Sequence, residues 1–184
     1  IPSRRPQVGT IRPGTFRYEP TGARGGAETI NETIVTPKES IVSRLVSFRP
    51  NDDDPSLNIA DSDVIVCVGN GLKSAEDLPK YRRLAELLGG KLGCTRPLVD
   101  RELLPYRLQI GQSGVMIKPK TYICFGVSGA VNHVTGVSAD LFIAVNSDPQ
   151  AQIFNFCDYG IVGDMDTVCN SMIEELEKRK AAAK

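Results

Sequence analysis

The sequence predicts an α/β fold: a three-layer domain on a parallel central sheet, preceded by an irregular N-terminal arm. Three observations carry that expectation. Short apolar runs recur from residue 61 onward, at 63–68 (DVIVCV), 121–127 (TYICFGV) and 139–146 (ADLFIAVN). Segments of helical period stand between and after them. The runs are apolar throughout rather than alternating, the pattern of strands buried on both faces of a parallel sheet.

Composition agrees with a folded core. Of 184 residues, 41% are apolar and 24% charged, and 22 basic residues balance 22 acidic ones. A net charge of zero, with no dense basic block before the tail, leaves no electrostatic footprint for nucleic acid. No apolar run approaches the roughly 18 to 20 residues that span a bilayer, so no membrane insertion is expected. The sequence opens on Ile1 without a signal segment and reads as cut inside a longer chain. Residues 1–60 then form an arm and the remnant of a preceding domain, and residues 61–184 form the main domain.

Element by element, glycines around Arg24 (22–26) and the run 51–55 mark loops. Between them Ile41, Val42, Leu45, Val46 and Phe48 suggest one strand. The first strand of the sheet ends at Gly69. A helix follows with Leu78, Tyr81, Leu84, Ala85 and Leu88 on one stripe, Asp77 as N-cap and Pro79 in the first turn, where a missing N–H does no harm. Gly89 and Gly90 end it. Residues 91–95 form a second strand and 121–127 a third. A short helix opens at Ser128-Gly129 and stops at Gly136. Residues 139–146 form a fourth strand, and 153–156 with 159–162 a broken fifth. The last helix, 164–179, turns Val168, Met172, Ile173 and Leu176 inward. Acids open it and Lys178, Arg179 and Lys180 close it, which suits the helix dipole.

Five cysteines, Cys67, Cys94, Cys124, Cys157 and Cys169, form no C-x-x-C pair. A zinc or iron–sulfur site is therefore not expected, and the thiols read as reduced packing residues of a cytosolic protein.

In an open parallel sheet, ligands bind beyond the carboxyl ends of the strands. Those ends carry Gly69-Asn70-Gly71, Cys94-Thr95-Arg96, the run from Ser128 to His133, Asn146-Ser147-Asp148, and the run from Asp158 to Asp164; a further glycine- and amide-rich loop runs from Gln109 to Gly114. Glycine lets backbone approach a ligand, and helix starts offer N–H groups to phosphate. Six such loops on one edge point to a large nucleotide cofactor. Gly69-Asn70-Gly71 continues as G-x-G-x-x-S, a partial dinucleotide fingerprint without its third glycine. The acid that would hold the ribose of NAD is replaced by Thr95-Arg96, with Arg96 able to meet the extra phosphate of NADP. There is no P-loop and no nucleophile elbow. His133 is the only histidine, so acid–base mechanisms lose their usual component. Its place one turn into a helix start adds a donor to that end.

These loops, in this order, resemble the FAD-binding C-terminal domain of the alpha subunit of electron transfer flavoprotein. The strongest stretches are Gln109-Ile110-Gly111-Gln112-Ser113-Gly114, Gly126-Val127-Ser128-Gly129-Ala130-Val131-Asn132-His133 and Asp158-Tyr159-Gly160-Ile161-Val162-Gly163-Asp164. The segment from Gln7 to Gly14 looks like the exit from the preceding domain. The resemblance implies a Rossmann-like, DHS-like NAD/FAD-binding domain over 61–184 and FAD as cofactor. It implies that Ser113 lies near flavin N5, that His133 donates to the O2 edge, and that Arg96 beside the ring favours the anionic flavin. Thr95, Ile110, Gly111, Gln112, Ser128, Gly129, Ala130, Val131 and Asn132 would line the ring, ribityl chain and pyrophosphate. Asn146, Asp164 and Met165 would hold the adenosine half. Asn70 belongs to the same set but stands where the family usually has arginine, and Ser147 where it often has lysine.

By the same resemblance the partners are a beta subunit and flavin-dependent dehydrogenases of the acyl-CoA type. The role is an electron carrier rather than a stand-alone enzyme, feeding a quinone reductase or taking part in flavin-based electron bifurcation. The compartment is the bacterial cytoplasm, with the mitochondrial matrix as alternative. Two rival readings remain from the residues themselves: an NAD(P)-binding oxidoreductase domain, and a module whose glycine-rich edge is only a subunit interface. Arg96 also has a plainer reading, a surface ion pair with Asp100.

Overall fold

The structure is a computed structural model. It describes residues 58–182 continuously and, before them, residues 3, 5, 6, 9, 10, 22, 30, 31, 33 and 35–48. The chain divides into two units, Ile1–Asp52 and Asp53–Lys184. The loop at 51–55, most of 22–26 and most of the segment from Gln7 to Gly14 lie outside the described residues.

In the first unit, residues 41–48 are not the expected strand. They pair with no strand among the described residues, and Val42 is 99% and Val46 85% exposed. Apolar content there meets no partner edge among the described residues, and a strand needs a neighbour for its backbone groups. A 3₁₀ turn stands at Lys38–Ser40, closed by the Ser40 N–H donating to Pro37 O at 3.0 Å.

The second unit holds a five-stranded, all-parallel sheet in the order β2-β1-β3-β4-β5. β1 is Val64–Val68, β2 Lys91–Cys94, β3 Thr121–Phe125, β4 Leu141–Asn146 and β5 Tyr159–Val162. The central strands are rich in Val and Ile, which fit a pleated surface, and residues 65–68 of β1 are fully buried. β3 ends two residues short of its apolar run because Gly126 turns the chain at φ +62°.

α1, Leu78–Leu87, buries Tyr81, Leu84 and Ala85 and leaves its arginines outward. Asp77 is its N-cap by position but makes no capping hydrogen bond; its carboxylate meets Lys80 at 2.8 Å instead. Ser74 caps the preceding 3₁₀ turn by accepting the Glu76 N–H. The helix ends in a Schellman motif: Gly89 N–H donates to Glu86 O and Gly90 N–H to Ala85 O, with Gly89 at φ +68°.

α4, Met165–Ala182, packs beside α1. Asp164 caps it, accepting both the N–H and the hydroxyl of Thr167 at 2.9 Å. Met165 and Cys169 are its deepest residues, with Val168, Met172, Ile173 and Leu176 half-buried against the core. Three features depart from expectation. α2, Arg96–Asp100, is a short helix where only a strand end was read; Pro97 falls in its first turn. α3, Val131–Val134, has only four residues, too few for a sizeable end dipole. Residues 152–155 form a 3₁₀ turn rather than part of the fifth strand, so β5 is unbroken.

Side chains alternate between the two faces. Phe125 meets Tyr81 of α1 on one face, ring centroids 5.2 Å apart; Tyr122 meets Phe142 edge-on at 4.7 Å and lies near His133 on the other. Cys67, Cys94, Cys124 and Cys169 are buried and Cys157 half-buried, all as free thiols.

Candidate cofactor site

Strand order reverses between β1 and β3, so the crevice beyond their carboxyl ends is the topological switch point at which open α/β sheets hold ligands. Two adjoining cavities lie there. The first, about 220 Å³, is walled by Asn70 after β1, by Thr95, Arg96 and Pro97 after β2, and by Gln109, Ile110 and Ser113 from the long connection; Val127, Ser128, Ala130, Asn132 and His133 complete it after β3. The second, about 420 Å³, is walled by Asn70, Gly71, Lys73, Gly126, Ser128, Asn146, Ser147, Asp164 and Met165. Asn70 and Ser128 face both.

Twelve of the sixteen residues singled out from the sequence thus line one cavity or the other. Gly111, Gln112, Gly129 and Val131 do not. Their loops are tied to each other, with Gln112 N–H donating to Asn132 O at 2.7 Å, and Val131 is 63% exposed. The glycines also let loops approach each other. A Cβ on Gly71 would sit 2.9 Å from Gly126 Cα, and one on Gly111 2.7 Å from Asn132 O. Of the other lining residues, Gly71, Gln109, Gly126, Val127 and Ser147 lie in loops marked from the sequence without an assigned contact, and Pro97 and Lys73 were not marked. Gln109 was visible as an amide within a marked loop, and Lys73 as a cation just past another.

The hydrogen bonds assign distinct duties. Asn146 is spent on scaffolding: its amide donates to Val127 O and its oxygen accepts the Asp148 N–H, both at 2.9 Å. Asp164 caps α4, and the Thr167 hydrogen bonds hold its carboxyl below the usual range. Arg96 is 3.3 Å from Asp100, both side chains well exposed, so the plain ion pair exists alongside its place on the cavity wall. Ser113 Oγ accepts from Gln109 Nε2 at 3.1 Å and keeps its own proton to donate. His133 Nδ1 stands 3.0 Å from Ile110 O, and Nε2 2.7 Å from the Tyr122 hydroxyl. Burial lowers its pKa. His133 thus meets protein atoms through both ring nitrogens and also lines the first cavity.

Thr95 is 7% exposed, and its hydroxyl is the one buried side-chain polar atom without a hydrogen-bond partner among the described residues. It opens α2 without capping it. Buried polar groups normally have partners, so an orphaned hydroxyl on a cavity wall fits a polar ligand. An elongated polar molecule with a hydrogen-bonding chain suits two cavities that meet at Asn70 and Ser128.

The fold and cleft define a parallel α/β domain of the class that holds ligands at a strand-order reversal. More narrowly, residues 58–138 match the model of the family described as the electron transfer flavoprotein FAD-binding domain. That segment runs from before β1 past α3 and contains the whole wall of the first cavity. The chain is 38% identical over 176 residues to protein FixB of Rhizobium meliloti, covering 95% of this chain and 50% of the relative. It is 41% identical over 161 residues to FixB of Bradyrhizobium diazoefficiens, covering 87% and 44%. It is 35% identical over 172 residues to the electron transfer flavoprotein subunit alpha of Bacillus subtilis, covering 92% and 51%. The chain spans about half the length of these curated relatives.

Proposed function

We propose that the chain binds FAD without a covalent bond and serves as the cofactor-holding part of an electron transfer flavoprotein alpha subunit. The observation that carries this reading is the orphaned Thr95 hydroxyl on the cavity at the strand-order reversal, inside the segment that matches an FAD-binding family. FAD supplies the one- and two-electron chemistry when bound, and the protein supplies position and electrostatics.

In this reading the first cavity takes the ring and ribityl half, and the second the adenosine half. Thr95 and Ser113 offer hydroxyl donors. Arg96 adds positive charge beside the first cavity, and Lys73 does so beside the second. Thr95, Arg96, Ile110, Ser113, Ser128, Ala130, Asn132 and His133 form the inner wall, with Gly111, Gln112, Gly129 and Val131 as its backing. Asn70 bridges the halves, and Asn146, Asp164 and Met165 close the far end.

The partners of the whole protein are a beta subunit and flavin-dependent dehydrogenases. The electrons go on to a quinone reductase or into bifurcation. The protein is a carrier working in the bacterial cytoplasm; its relatives named above are bacterial, and no helix of the described residues is long and apolar enough to cross a membrane. The test is reconstitution with FAD followed by a reductive titration. Stoichiometric yellow protein with quenched flavin fluorescence is the expected result. Quenching by a nicotinamide nucleotide with no flavin retained, or no ligand at all, would overturn it.

A further inference from the structure

Met165 opens α4 and is only 8% exposed, yet it lines the second cavity. Its sulfur lies where the loops after β1 and β3 cross: a Cβ on Gly126 would fall 2.8 Å from it and one on Gly71 3.2 Å. The Gly71 N–H joins the two loops there by donating to Gly126 O at 3.0 Å. The neighbours of this seat both lead to Tyr81 of α1. Phe125, just before Gly126, meets the Tyr81 ring at 5.2 Å between centroids. Asp166, just after Met165, accepts the Tyr81 hydroxyl at 2.6 Å. Lys80 holds the same carboxylate, its ammonium 2.8 Å from Asp166 and 2.8 Å from Asp77. The Asp164 cap fixes the first turn of α4 within itself; Tyr81 and Lys80 fix that turn against α1 and, through Phe125, against the end of β3.

We propose that Tyr81 and Lys80 are positioning residues of the second cavity: from α1 they hold Asp166, seat Met165 on the Gly71–Gly126 crossing, and so set how closely that wall meets the ligand. This rests on the reading that the second cavity takes the adenosine half of FAD. Neither residue lines the cavity, so the effect passes through Asp166 and Met165. The molecule carries its own control for simple helix-to-helix attachment. Arg83 also joins α1 to α4, 2.8 Å from Glu177, with both side chains about half exposed. Glu177 lies about three turns beyond Asp166, far from Met165. A tie there holds the two helices together without bearing on the crossing.

The test has a ligand-free arm and a binding arm. Labelling methionine methyls with ¹³C gives three signals, from Met116, Met165 and Met172, with Met165 assigned by its absence in Met165→Leu. Tyr81→Phe and Asp166→Ala are expected to shift the Met165 signal and leave that of Met116 in place. Calorimetric titration with ADP, which probes the adenosine half alone, is expected to show affinity about threefold to tenfold lower in both variants, the worth of one hydrogen bond. FAD affinity should fall by the same factor, with the visible spectrum of the bound flavin unchanged. Asp166→Asn keeps an oxygen that accepts from Tyr81 and is expected to recover most of the ADP affinity. Arg83→Ala is expected to change neither readout. An unmoved Met165 signal in Tyr81→Phe, an unchanged ADP affinity, or an equal loss in Arg83→Ala would overturn the proposal. Should Asp166→Ala not fold, Tyr81→Phe, which keeps the ring, decides. Failure of the wild-type chain to bind either FAD or ADP would instead overturn the cofactor reading, while the methyl spectra of the ligand-free chain decide the seating of Met165 on their own.

Discussion

Tyr81 and Asp166 join α1 to α4 through one short hydrogen bond, the hydroxyl donating to the carboxylate at 2.6 Å. The same oxygen takes Lys80 at 2.8 Å. Partial burial alone would raise the Asp166 pKa, but the hydrogen bonds from Lys80 and Tyr81 outweigh it and the net shift is downward. Tyr81→Phe keeps the ring against Phe125 and removes only the hydroxyl. A loss of about 1–2 kcal/mol is expected in urea unfolding at neutral pH. The sign with pH follows from linkage. A carboxylate whose folded pKa is depressed contributes stability above its ordinary value, near 3.8, and loses it as pH falls through the folded value. The gap between wild type and variant should therefore close below about pH 3 to 4. A gap independent of pH would assign the effect to packing.

Thr95→Val separates ligand binding from folding. The substitution is nearly isosteric and removes a hydroxyl that has no partner among the described residues. Thermal unfolding without cofactor should show no loss, and a gain of up to about 1 kcal/mol is expected from relieving an unpaired buried group. FAD titration by fluorescence should show affinity down about twofold to tenfold. Loss of stability with unchanged affinity would make the hydroxyl structural.

Gly111 and Gly89 both have positive φ, +138° and +68°, but their surroundings differ. A Cβ on Gly89 meets nothing within 4 Å, whereas one on Gly111 falls 2.7 Å from Asn132 O. Gly89→Ala should cost about 1 kcal/mol, from backbone strain alone. Gly111→Ala should cost more, about 2–4 kcal/mol, and should weaken FAD binding because the loop bearing Asn132 must move. Equal costs in chemical denaturation would refute the loop-packing role.

Asn70 faces both cavities, and Arg96 stands on the rim of the first with its side chain 68% exposed. Adding a cation by Asn70→Arg should raise the flavin potential, since negative charge gained on reduction is then better balanced. Arg96→Ala should lower it, while changing stability by less than about 0.5 kcal/mol because its pair with Asp100 is exposed. Potentiometry on FAD-loaded protein reads both signs. A shift of neither sign would remove these residues from the electrostatics of the site.

Much of the fold was legible because the central strands are buried on both faces and announce themselves as apolar runs. The wall of the first cavity was legible because it lies in loops whose glycines and amides stand out. What stayed hidden depended on contacts between distant residues. Residues 41–48 carry enough apolar side chains for a strand, yet nothing in one chain segment reveals whether an edge awaits it. The run 153–156 reads as strand by composition, but the Phe156 N–H donates to Ile153 O and closes a turn, while the Ile153 N–H is held by Ser128 O from a distant loop. The partners of His133 come from Tyr122, eleven residues earlier on a buried strand, and from a backbone carbonyl, which no side-chain pattern encodes. The glycine loops were found for a reason that holds only in part, because their bare Cα atoms mostly serve loop-on-loop contact.

Imidazole and thiol are the side chains that ordinarily change charge closest to neutrality. Here burial moves them apart. It lowers His133 and raises all five thiols, Cys94 and Cys169 to about 12. In each of these six groups burial disfavours the charged form. Charge on the walls of the cleft then rests with Arg96, Lys73 and Asp164 rather than with imidazole or thiol.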